Sequence, residues 1–228
     1  MRLINYLRLI LYWKRQFSRR ALRTVVSIFT VYTVSAANPV HADNKIILAL
    51  GDSLTAGYGL RVSDSFPFRL QIALRKAGHK VQVINGGLSG DTTAGGLTRL
   101  DWLLDDKPDL VIVELGANDA LRALDPKKVQ ENLDKIVRRI KAQGAHVLLT
   151  GMRAPPNMGG EYATKFRAIY PELARIHSLP LYEFFLEGVA ANYSLNLPDG
   201  IHPNPKGVAV IVEGILPLVK KALKELQK

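Results

Sequence analysis

Two short segments far apart in the chain carry the residue types of nucleophilic acyl transfer: Gly51-Asp52-Ser53 early on, and Asp199-Gly200-Ile201-His202 near the end. A serine hydroxyl is a weak nucleophile until a neighbouring base takes its proton and a third group holds that base in one tautomer. A carboxylate three residues before an imidazole in a short loop can accept from Nδ1–H while Nε2 faces a serine. Pro203 biases His202 towards an extended backbone and stiffens the loop. The other histidines compete poorly: His79 and His146 fall at element junctions, His177 near a helix end and His41 in the N-terminal segment. Acyl transfer also needs donors aimed at the developing oxyanion. Gly90, in Leu88-Ser89-Gly90-Asp91, offers a bare backbone N–H, and Asn118, in Gly116-Ala117-Asn118-Asp119, offers its side-chain amide. The Ser53 backbone N–H would be a third donor. Taken singly, each segment has a plainer explanation: Gly-Asp-Ser and Gly90 as turns, Asn118 as a helix cap, Asp199 and His202 as surface residues. Asp52 and Asp91 stay open between steadying the loops and tuning the site.

These segments must be held by a scaffold, and the pattern describes one. Short, continuous apolar runs at Lys45–Leu50, Val81–Ile84, Asp109–Leu115, Ala145–Thr150 and Leu179–Glu183 read as strands buried on both faces. Between them the spacing predicts helices over 65–77, 92–105, 126–143 and 161–177, with a last one over 205–226. Ser65 is placed to cap the first, and Asp125 with Pro126 opens the third, whose Val129, Leu133, Ile136 and Ile140 make one apolar stripe. Pro171 is expected to bend the fourth helix, and Pro217 to break or kink the last. Asn85-Gly86-Gly87 is expected to close the second strand. Five strand–helix alternations argue a parallel sheet covered on both faces, with the functional groups at the carboxyl ends of the strands. Ser53, Gly90, Asn118 and the segment 151–160 all follow strand ends.

A formal charge of +11 invites a nucleic-acid partner, but its distribution argues against one. Residues 1–42 hold seven basic residues and no acidic one, leaving 24 basic against 20 acidic, a net of +4, over 43–228. Within that basic segment, the apolar stretch 24–37 and Val40-His41-Ala42 follow the order of an export signal, with cleavage expected after Ala42 or, second, Ala37. Ser18-Arg19-Arg20-Ala21-Leu22 leaves twin-arginine export or a retained anchor as alternatives. The expected organisation is therefore a leader, 1–42, and one domain, 43–228. The absence of cysteine excludes thiolate catalysis and thiolate metal ligation. No GxxxxGK[ST] is present, and Gly57-x-Gly59 lacks the third glycine of a dinucleotide fingerprint.

Taken together, Ser53 in GDSLTAGYG, Gly90 in LSGDT, Asn118 in GAND, and Asp199 with His202 in DGIHPN resemble the SGNH/GDSL hydrolases, whose markers are Ser, Gly, Asn and His. The resemblance runs over essentially all of 45–225. The segments 113–122, 168–174 and 198–204 are similar to the bacterial periplasmic acyl-CoA thioesterase I/lysophospholipase L1/arylesterase subgroup. It implies a three-layer αβα sandwich on a five-stranded, flavodoxin-like parallel sheet. It implies Ser53 as nucleophile, His202 as proton relay, Asp199 as orienter, and Ser53, Gly90 and Asn118 as the oxyanion hole. It further implies no cofactor and no metal, a small acyl-ester or lipid substrate, a monomer, and a periplasmic or secreted enzyme. The segment 153–160 would lie beside the acyl groove. Two alternatives share the fold: a carbohydrate O-acetyl esterase, and a catalytically inactive binding module.

Overall fold

The computed structural model describes residues 44–226, so the expected leader and its cleavage site lie outside the described residues. Five strands form one sheet: β1 (Lys45–Gly51), β2 (Val81–Gly87), β3 (Leu110–Glu114), β4 (His146–Thr150) and β5 (Leu181–Tyr182). Every pairing is parallel and the order is β2-β1-β3-β4-β5. The chain runs outward from β1 to β2, then crosses back to β3, so the direction of winding reverses between β1 and β3. Crevices at the carboxyl ends of such strands are where open parallel sheets bind ligands. Ile47, Leu48 and Leu50 on β1, and Leu110 through Val113 on β3, are fully buried. That is why these runs are continuously apolar rather than alternating.

Helices cover both faces. They are α1 (Ser53–Ala56), α2 (Phe66–Lys76), α3 (Thr93–Leu104), α4 (Ala117–Leu121), α5 (Pro126–Ala142), α6 (Gly160–His177) and α7 (Pro205–Glu225). α2 packs on α7 in one layer, while α3, α5 and α6 lie side by side in the other. In α5 the expected stripe is buried, and Asp125 accepts from the Lys127 N–H at 3.0 Å. Each such apolar side chain contributes about 1.5–3 kcal/mol by leaving water. The three-layer sandwich expected from the sequence is the observed architecture.

Several local expectations need correction. Ser65 occupies the cap position of α2 but does not cap it, because its hydroxyl donates to the Val62 carbonyl at 2.7 Å and closes the turn 62–64 instead. Asn85-Gly86-Gly87 does not close β2. The strand continues through it, paired with Ala49–Gly51. The glycine there has a packing cause, since a Cβ on Gly87 would fall on the Ala56 backbone. β5 is only two residues long: Pro180 has no N–H to give the ladder, and past Tyr182 the chain turns so that Phe185 N–H bonds to the Gly151 carbonyl at 2.9 Å. α6 and α7 run on through Pro171 and Pro217, so Pro217 does not break the last helix. α1 and α4, of four and five residues, were not anticipated.

Candidate active site

Ser53 is the first residue of α1, directly after β1. Its Oγ lies 2.9 Å from His202 Nε2, and His202 Nδ1 lies 2.7 Å from Asp199 Oδ2. A carboxylate has no proton to give, so the second bond requires Nδ1–H, which leaves Nε2 to accept from the Ser53 hydroxyl. The loop that presents His202 is tied to itself. Asp199 Oδ1 accepts the Ile201 and His202 N–H groups at 2.9 and 3.0 Å, and Leu197 N–H bonds to the His202 carbonyl at 2.7 Å. Asn204 then caps α7 through the Lys206 and Gly207 N–H groups, while its amide donates to the Ser194 and Asn196 carbonyls. The His202 backbone N–H, then that of Ile201, then the imidazole hold the Asp199 carboxyl down at about 2. Tyr58 lies against the imidazole with ring centroids 4.4 Å apart.

The segments of the other two sequence candidates are tied to the residues just before Ser53. Leu88 N–H bonds to the Gly51 carbonyl at 3.0 Å, which brings the 88–91 turn beside the residues before Ser53. Gly90 has φ +82°, a backbone that side chains rarely adopt, and its carbonyl accepts from Arg122 at 2.8 Å. Asn118 is the second residue of α4, not its cap, which is Gly116. Its Nδ2 donates to Asp52 Oδ2 at 3.1 Å.

The profile of the GDSL-like lipase/acylhydrolase family matches residues 49–210. An arylesterase of Vibrio mimicus is 45% identical over 190 residues, 83% of this chain and 94% of its own length. The chain belongs to the GDSL-like lipase/acylhydrolase family. As a family member it also resembles the thioesterase 1/protease 1/lysophospholipase L1 of Escherichia coli K12, 43% identical over 159 residues, 69% of this chain and 75% of that protein. Among solved structures, the psychrotrophic esterase EstA of Pseudoalteromonas sp., in a form inhibited by monoethylphosphonate, superposes with a TM-score of 0.75. It is 35% identical and is matched over 79% of this chain and 100% of its own. This GDSL-family chain is thus an enzyme of the ester- and thioester-hydrolase class.

The structure also brings in residues that the motifs did not single out. Arg99, on α3, donates to Asp91 Oδ2 at 2.7 Å, to the Gly86 carbonyl at 2.7 Å and to the Gly51 carbonyl at 2.9 Å. One guanidinium therefore ties the ends of β1 and β2 to the turn that carries Gly90. Asp91 is thereby assigned to steadying the loops. Asp119 accepts from the Thr93 N–H at 2.8 Å and its hydroxyl at 2.6 Å, joining α4 to α3. Beneath Ser53 lies a carboxyl pair: Glu114 Oε2 accepts the Thr55 hydroxyl at 2.7 Å and the Asp52 N–H at 3.3 Å. Burial pushes Glu114 well above the usual carboxyl range, with Asp52 adding to the shift. Burial likewise raises Asp52 to about 6. The sequence carries Asp52 in the nucleophile's own motif and a charged residue, Glu114, closing an otherwise apolar strand, but nothing in it pairs the two. Met152 and Phe166 are both buried in the core.

Proposed function

We propose that this enzyme hydrolyses acyl esters and thioesters through an acyl-enzyme on Ser53, with His202 relaying the proton and Asp199 orienting His202. The observation that carries this is the continuous chain Asp199–His202–Ser53, with bonds of 2.7 and 2.9 Å. Ser53 Oγ attacks the acyl carbonyl carbon while its proton passes to His202 Nε2. The carbonyl π pair moves onto oxygen, where the backbone N–H groups of Ser53 and Gly90 and the Asn118 amide donate to it. When the tetrahedral adduct collapses, the bond to the leaving oxygen or sulfur breaks and His202 gives that atom its proton. Water then attacks the acyl carbon as His202 takes its proton, and when this second adduct collapses the bond from the acyl carbon to Ser53 Oγ breaks, His202 returns the proton to Oγ and the carboxylic acid leaves.

The substrates proposed are aryl esters, lysophospholipids and acyl-CoA-type thioesters, supported by the names of the Vibrio and Escherichia relatives. Export, with residues 1–42 removed, is proposed from the order of the basic and apolar stretches there; the N-terminal sequence of the mature protein, starting at Asp43, checks it. The test of the chemistry is Ser53→Ala against p-nitrophenyl esters of graded chain length and acyl-CoA. Loss of the serine should reduce kcat by about 10³–10⁶ on every substrate. Full activity in that variant would overturn the mechanism. Activity confined to acetate would favour a carbohydrate O-acetyl esterase.

A further inference from the structure

The geometry points to Asp52 as a positioning residue that fixes the Asn118 amide with one N–H turned towards the oxyanion, an inference that rests on the role proposed above for Asn118. Asp52 is fully buried one residue before the nucleophile, and its two oxygens serve two elements. Oδ1 accepts the Leu54 N–H at 3.0 Å and closes the first turn of α1, while Oδ2 accepts from Asn118 on α4 at 3.1 Å. One carboxylate therefore sets both the turn that presents Ser53 and the donor that faces it.

The need for a carboxylate follows from the symmetry of an amide. Turned over about its last bond, Asn118 would exchange its NH₂ for its carbonyl oxygen, and an oxygen facing an oxyanion repels it. An ionised carboxylate only accepts, so it permits one orientation alone, with Nδ2 towards Asp52 and the second N–H left for the ligand. The buried neighbour decides which acid is ionised. Glu114 Oε2 is engaged by Thr55 and the Asp52 N–H, and Glu114 Oε1 finds no hydrogen-bond partner among the described residues. Two buried carboxyls that repel one another do not both ionise readily. Glu114 is the one driven furthest from its usual range, so at neutral pH it is the neutral member and Asp52 the carboxylate.

The experiment is a double-mutant cycle in the full-length enzyme, read as kcat and KM on a p-nitrophenyl ester. Asp52→Ser keeps a short hydroxyl able to cap the Leu54 N–H but cannot reach Asn118. Asp52→Asn keeps the shape and lets the Asn118 amide turn over. Asn118→Ala should lower kcat by about 10²–10³. Each Asp52 variant should lower kcat by about 10–100-fold with KM within about 3-fold. Placed on Asn118→Ala, Asp52→Ser should cost less than about a further 3-fold, because the residue it acts through is already gone. Wild-type kcat in Asp52→Ser, or a loss that multiplies in full onto Asn118→Ala, overturns the inference and leaves the role of Asn118 standing. Wild-type kcat in Asn118→Ala overturns that role and the inference with it. Should Asp52→Ser not fold, Asp52→Asn carries the same cycle.

Discussion

Asp199 takes two backbone N–H groups on one oxygen and an imidazole N–H on the other, and this keeps a solvent-facing carboxyl ionised far below neutral pH. Its folded value of about 2 lies below the ordinary 3.8. The stabilisation it brings is therefore complete above pH 3.8, is lost progressively as the pH falls from there, and is gone below about 2. A ¹³C carboxyl titration should find Asp199 still ionised at about pH 3. An Asp199 resonance that titrates like a free aspartate would contradict the bonding described. Asp199→Asn should lower kcat by about 10²–10⁴ at little change in KM, since an amide no longer enforces the Nδ1–H tautomer. The candidates Ser53, Gly90, Asn118, Asp199 and His202 could be picked out because each sits in a short local motif. The roles of Asp52, Glu114 and Arg99 could not, because they rest on partners 66, 62 and 48 residues away. Nothing local in the chain records such contacts.

Between elements, Arg99 does for the strand ends what Asp199 does for the His202 loop. Arg99→Met would leave the Gly51 and Gly86 carbonyls and the Asp91 carboxylate without their shared donor. Urea unfolding should show a loss of about 2–4 kcal/mol, with a fall in kcat as the turns carrying Ser53 and Gly90 lose their common anchor. Unchanged stability would mean that water replaces the guanidinium at little cost. The strands and long helices were readable because burial on both sides of β1 and β3, and on one stripe of α5, writes itself directly into apolar spacing. The misses have a common cause, for tertiary contacts overrode local signals. Asn85-Gly86-Gly87 has turn composition yet is held as strand by the β1 ladder. α1 and α4 are too short to show any period, although both carry proposed site residues.

For the molecule as a whole, the carboxyl pair under the nucleophile sets a pH dependence of stability. Burial dominates, raising Asp52 from 3.8 to about 6 against the Leu54 N–H, the Asn118 amide and His202, with Asp91 adding to the rise and Glu114 repelled by the same carboxyl. The folded state therefore takes up this proton between pH 6 and 3.8, and the contribution of Asp52 to stability falls as pH rises through that window. Asp52→Asn removes the slope. Compared with the wild type, it should gain about 2 kcal/mol in unfolding free energy between pH 4 and pH 7.5, whatever it loses at the α1 cap. A pH-independent difference between the two proteins would show that Asp52 titrates normally. The more basic question is whether Ser53 carries the acyl group. Turnover of a p-nitrophenyl ester by the wild-type enzyme, quenched in acid and followed by intact-mass and peptide mass spectrometry, answers it most directly. One acyl adduct per chain is expected, mapped to Ser53 and absent from Ser53→Ala. An adduct on another residue, or undiminished turnover by Ser53→Ala, would contradict it.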